Sequence, residues 1–284
     1  MSFKSKKIIK NVFLYLIFLF ALIGFIFTTI FFGIQFGLLN VKGAVSQRDA
    51  YFNLENEEKK ENIFPKNTLG WAKTSEWNLM KEVFTRDQEI IKKAGRDAKI
   101  SPRLIICGVM GEQFRFFTSR RESFKGYFEP LKILASLSKI SFGIAGIKPN
   151  TAKLMEEHLK DKNSPFYLGE DMENVLDYDL NKVADFDTER MNRITETKNP
   201  YYPYLYVGLY MKQVEAQWAK AGYPITGRPE ILATLYNLGF PRSIPKENPM
   251  AGGAVINIGG KDYTFGDIAY EFYYSEELID VFPR

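Results

Sequence analysis

The most extended apolar run in the chain goes from Val12 to Phe36, inside a stretch without charge from Asn11 to Val41. About 20 apolar residues cross the hydrocarbon layer as a helix, so the pattern predicts a single amino-terminal transmembrane helix. A cleaved signal peptide is the rival, but its apolar core is usually about 7 to 15 residues long. Val41-Lys42-Gly43-Ala44 is also a poor small-residue cleavage site, so the expectation is a retained anchor. Ser46–Asn67 is polar and charged and reads as a linker.

Beyond it the periodicity becomes helical. Trp77, Met80, Phe84, Ile91 and Ala94 recur at the spacing of one amphipathic helix over Glu76–Ala98. Ser101 and Pro102 are start signals for a second, carrying Leu104, Ile105, Ile106, Cys107, Val109 and Met110. Further helices are predicted over Thr151–Leu159 and over Pro229–Gly239 with the glycine as its stop. The acid-rich segment Asp161–Glu196 reads as a solvated helical face. Ala254–Phe265 alternates about a Gly-Gly pair, as a β-hairpin does, and an aromatic-rich helix follows over Gly266–Ile279. That tail either packs on the body or meets a partner. The expected class is mainly α, with a small carboxyl-terminal hairpin plus helix. The domains read as 1–43 tail and anchor, 44–68 linker, 69–240 body and 241–284 extension.

Charge sharpens the picture once it is located. Of the 38 Lys and Arg, four (Lys4, Lys6, Lys7 and Lys10) fall in the first ten residues, leaving 34 to balance 34 Asp and Glu. A neutral body lacks the basic stripe of a nucleic-acid binder. Lysines ahead of an apolar span keep that end in the cytoplasm, which places the body outside the cytoplasmic membrane.

Cys107 and His158 are single. An internal disulfide or a Cys/His zinc site is therefore impossible, and Cys107 reads as a small buried hydrophobe. His158, beside Glu156 and Glu157, reads as a surface or capping residue. Hydroxyl and thiol nucleophile classes lack support. The carboxylates of 161–196 lack the glycine-containing calcium loop, so no metal or cofactor is expected.

Glu112 is the first residue of chemical interest. It lies near the carboxyl end of an apolar helix, with Ile105, Gly108, Val109 and Phe116 on its face. A buried carboxyl there would be pushed toward its protonated form by desolvation and by the helix dipole, and would suit a general acid. The alternative is a helix-end glutamate turned into solvent. Ser141–Ala152 contains two glycines and Pro149-Asn150, a tight loop where backbone can approach a ligand or simply connect helices. Tyr236-Asn237 closes an apolar helix. The pair suits hydrogen bonding to a sugar or to an acid, and equally suits core and cap chemistry.

Taken in order, Gly111-Glu112-Gln113-Phe114, Gly143-Ile144-Ala145-Gly146-Ile147 with Pro149-Asn150-Thr151-Ala152, and Ala233-Thr234-Leu235-Tyr236-Asn237-Leu238-Gly239 resemble the motifs of the lysozyme-like lytic transglycosylases of bacterial cell walls. The similarity covers about Ile100 to Gly239. It departs from the pattern at Gln113, where Ser is usual, and at Gly146, where Gln is usual.

The resemblance implies a lysozyme-like body that cleaves peptidoglycan strands between N-acetylmuramic acid and N-acetylglucosamine and forms a 1,6-anhydro product. It implies Glu112 as acid and then base, without metal or cofactor. Gln113, Gly143, Ile144, Ala145, Gly146 and Ile147 would line the glycan cleft, with Tyr236 and Asn237 in support. A hydrolytic muramidase, and an inactive glycan-binding or scaffold module of a cell-envelope complex, are the alternatives.

Overall fold

The computed structural model describes residues 13, 15, 16, 18–29, 69–118, 143–181 and 183–284. The basic tail and the linker 44–68 lie outside them. The chain divides into two units, Met1–Ser46 and Gln47–Arg284.

The amino-terminal unit corrects the expected transmembrane helix: among the described residues, no helix is long and apolar enough to cross a membrane. Two hydroxyls bond to carbonyls within the described residues of this unit. Thr28 donates to the Gly24 carbonyl (2.7 Å) and Thr29 to that of Phe25 (2.8 Å).

In the second unit, the expected helix over Glu76–Ala98 is two helices, α1 (Ser75–Arg86) and α2 (Gln88–Ala98). Thr74 caps the first by accepting from the Trp77 N–H. The break falls at Asp87, which is buried because its carboxylate turns inward to accept from the Tyr204 hydroxyl (3.0 Å). The adjacent Arg86 pairs with the same carboxylate (2.7 Å), but the tyrosine that draws it inward lies 117 residues away, where periodicity cannot show it.

Helix α3 (Pro102–Thr118) begins as its start signals predict, with Ser101 Oγ accepting from the Arg103 N–H. Leu104, Ile105, Ile106, Cys107, Val109, Met110 and Phe114 are all buried. A helix apolar all round belongs at the centre of a fold. α3 accordingly packs against α1 and α2, against α6 (Tyr201–Lys220), α7 (Pro229–Leu238) and α8 (Phe265–Tyr274), and against strand β1 (Val255–Ile258). Cys107 is buried among them, its thiol held up by desolvation.

α4 (Pro149–Lys160) and α5 (Phe186–Thr195) pair on the flank of α6. Between them the acid-rich segment is mostly turns, with α5 its one α-helix among the described residues, rather than an extended solvated helical face. It folds because it buries Phe166, Met172, Leu176 and Ile194 while Arg193 ties two of its carbonyls, those of Leu176 (2.8 Å) and Asp177 (3.1 Å). Its acids face outward to lysines, as in Lys160–Asp177 (2.5 Å) and Lys162–Glu170 (2.6 Å). No group of three or more metal-ligating side chains occurs among the described residues.

His158 is half-buried in the last turn of α4. Its ring packs 4.6 Å from Phe166 and 5.0 Å from Phe240, and Nδ1 lies 3.0 Å from Ser164 Oγ.

The carboxyl-terminal segment packs on the body. β1 pairs antiparallel with β2 (Lys261–Thr264) across Gly259-Gly260, turning Ile256, Ile258 and Tyr263 inward. α8 starts directly from β2 through a capping box, in which Thr264 Oγ1 accepts from the Asp267 N–H (3.1 Å) and Asp267 from the Thr264 N–H (2.8 Å). The helix ends at Tyr274, five residues short of expectation. Its last carbonyls are taken by Arg103, a fully buried side chain that donates to Phe272 O (2.6 Å), Tyr273 O (2.9 Å) and Ser275 O (2.9 Å), and onward to Glu277 O and Phe282 O (both 3.0 Å). An aromatic cluster seals the same corner. Trp71 meets Trp77 edge-on at 4.9 Å, and both pack against Phe272.

Candidate active site

Glu112 sits on the last turns of α3 and is 8% exposed, so it is not the solvent-facing alternative. What covers it comes from far along the chain. The turn 143–147, which leads into α4, lies directly on its carboxyl group. An ideal Cβ built on Gly146 would stand 2.5 Å from Glu112 Oε2 and 2.7 Å from its Cδ. Gly146 also has φ +64°. Both facts demand glycine here: a side chain at 146 would occupy the space of the acid. Gly143 is similarly tight, with φ +68° and room for a Cβ only 2.2 Å from the Ile194 carbonyl, so the far end of the turn is seated on α5.

Two hydrogen bonds hold the turn in place. Gln113, next to the acid, donates from Nε2 to Ile144 O (2.5 Å), and Tyr236 on α7 donates its hydroxyl to Ala145 O (2.5 Å). Desolvation holds the Tyr236 hydroxyl well above its ordinary value, and the charge of Glu112 adds to the effect. It is a hydrogen-bond donor, not a base. Tyr210 supports it from α6, ring edge to ring face at 5.2 Å, while its own hydroxyl donates to Leu235 O (3.0 Å).

The remaining expected residues have other placements. The side chains of Ala145 and Ile147 are buried in the core, so only their backbone is near the acid. Asn237 is buried, and its Oδ1 accepts from the Ala254 N–H (2.9 Å), which fixes the chain leading into β1.

Arg115 is the residue that motif reading misses. Its Nη2 donates to Glu112 Oε2 in an ion pair across one helical turn, with the arginine side chain 12% exposed and its Cζ 5.6 Å from the Phe265 ring. Spacing i, i+3 on one helix is the signal that would have found it.

A second polar cluster lies apart from this one. Glu156 accepts from Arg190 Nε and Nη2 (2.9 and 2.7 Å) and from the Tyr178 and Tyr206 hydroxyls (both 2.6 Å). It borders a cavity of about 460 Å³ lined also by Leu159, Leu176 and Tyr178, but not by Glu112. With its lone pairs so engaged, Glu156 ties α4 to α5 and α6.

No protein-family model, curated protein or solved structure matches the chain. The functional reading therefore stands on the geometry around Glu112 and on the motif resemblance.

Proposed function

We propose that this protein is a peptidoglycan lytic transglycosylase, acting outside the cytoplasm where that substrate lies, with Glu112 as its single catalytic carboxyl group. The observation that carries the reading is the convergence of three segments far apart in sequence. Glu112, the Gly143–Ile147 turn and Tyr236 meet at one point, joined by the Tyr236–Ala145 and Gln113–Ile144 bonds. These are the segments in which the resemblance to lytic transglycosylases resides.

In this mechanism the protonated Glu112 gives its proton to the glycosidic oxygen as the C1–O bond breaks and oxocarbenium character develops at muramic C1. The resulting carboxylate accepts the proton of the C6 hydroxyl as that oxygen bonds to C1. The acid is regenerated and the product is a 1,6-anhydro sugar. Tyr236 keeps the glycine turn at the distance this transfer needs, since a displacement of about 1 Å at such a site costs on the order of 100-fold in rate.

Mass spectrometry of purified peptidoglycan digested by the full chain tests the proposal. Muropeptides ending in 1,6-anhydromuramic acid are expected, and Glu112→Gln is expected to yield none. Reducing ends would indicate a muramidase instead.

One observation favours a second reading, an inactive glycan-binding module: Glu112 is paired with Arg115 and so is not poised as a free acid. Binding of the strands without any cleavage product would establish that reading in place of the first.

A further inference from the structure

This inference rests on the glycan-cleaving reading. Glu112 must present a carboxyl oxygen to the sugar, yet Oε2 accepts from the Arg115 guanidinium and faces the Gly146 backbone. Both partners are nearly removed from water, 8% and 12% exposed. An ion pair in that setting is a weak stabilising device, because the loss of hydration offsets most of the attraction. Its value lies in what can exchange with it. A sugar hydroxyl competes poorly with a carboxylate for a guanidinium. A second carboxylate competes on equal terms, and the planar fork of arginine takes it through two parallel bonds. Phe265, fully buried, holds the guanidinium with its ring 5.6 Å from Arg115 Cζ.

We propose that Arg115 is a specificity-determining residue: it recognises a carboxylate of the peptide stem on the glycan strand, and in turning to that group it frees the Glu112 carboxylate to take up a proton from solvent and pass it to the glycosidic oxygen. Strands bearing free carboxylates are then substrates, and neutral glycans of the same backbone leave the acid locked.

Thermodynamic coupling between the two residues tests this without requiring turnover. Isothermal titration calorimetry measures binding of a disaccharide–tetrapeptide muropeptide, and of its fully amidated counterpart, to the full-length wild type, Glu112→Gln, Arg115→Met and the double variant. Arg115→Lys is added as a variant that keeps the charge without the fork. Freed from its carboxylate partner, Arg115 is expected to bind the acidic muropeptide roughly tenfold more tightly in Glu112→Gln than in wild type. The amidated ligand should show no such gain, and the gain should vanish in the Arg115→Met background and shrink in Arg115→Lys. Equal affinity of wild type and Glu112→Gln for the acidic ligand, in protein that binds and cleaves strands, overturns the role of Arg115 alone. Absence of binding and of cleavage by folded wild type overturns the glycan reading, and this inference with it.

Discussion

At Gly146 a single missing side chain determines whether the turn can lie on the acid. Alanine there would meet two penalties at once, a left-handed backbone and a methyl group 2.5 Å from the Glu112 carboxyl. Gly222 separates them, because it too has positive φ (+85°) but nothing within 4 Å of its Cβ position. Backbone strain of this kind is worth about 1–3 kcal/mol. Both Gly146→Ala and Gly222→Ala are therefore expected to lower stability in urea denaturation, while only Gly146→Ala should lose glycan cleavage, by about 100-fold. Equal activity in the two variants would count against contact between turn and acid as the basis of function. The sequence marks Glu112, the glycines and Tyr236 as separate candidates. It does not show that Gly146 is small because Glu112 is there, since no rule of spacing links positions 34 apart.

At the scale of elements, local chemistry is legible wherever the partner is near in sequence. Ser101-Pro102 starts α3, Gly239 ends α7, and Gly259-Gly260 turns the hairpin, each through the backbone of its immediate neighbours. Thr264 and Asp267, three residues apart, form a capping box. Elements that end for tertiary reasons are misjudged. The α1–α2 break at Asp87 depends on Tyr204, and the early end of α8 coincides with carbonyls that turn to Arg103. That guanidinium joins the start of α3 to the last residues of the chain. Arg103→Met would remove the guanidinium donor to the Glu277 and Phe282 carbonyls and leave those of Phe272, Tyr273 and Ser275 to Ser275 and Arg284, so a loss of about 3–5 kcal/mol in unfolding free energy is expected. Urea denaturation measures it. A change below about 0.5 kcal/mol, the range of ordinary surface substitutions, would show that the carboxyl-terminal segment docks without this clamp.

For the whole molecule, the pH dependence of stability reports how the acid-rich segment is seated. Burial against Phe166 and Phe240 lowers the His158 pKa from its ordinary 6.5, against the opposing pull of Glu157 and Asp161. The unfolded chain thus binds this proton more readily than the fold does. Stability from this group is full above about pH 6.5 and falls as pH drops from there through the lowered folded value. Unfolding free energies measured across that window should slope downward toward acid in wild type and flatten in His158→Phe, which keeps the aromatic packing; an unchanged slope would assign the effect to other groups. The pattern of apolar positions determined by itself that the body is mainly helical, that α3 is an apolar helix and that a hairpin follows α7, because those features come from periodicity and from contacts a few residues long. The folded chain alone decided that the described amino-terminal helix falls short of a membrane span, that the acid-rich segment is a set of turns with a buried inner face, and that Arg115 stands on Glu112. The last two depend on which distant group fills the space beside a charge, and such contacts leave no period in a linear sequence.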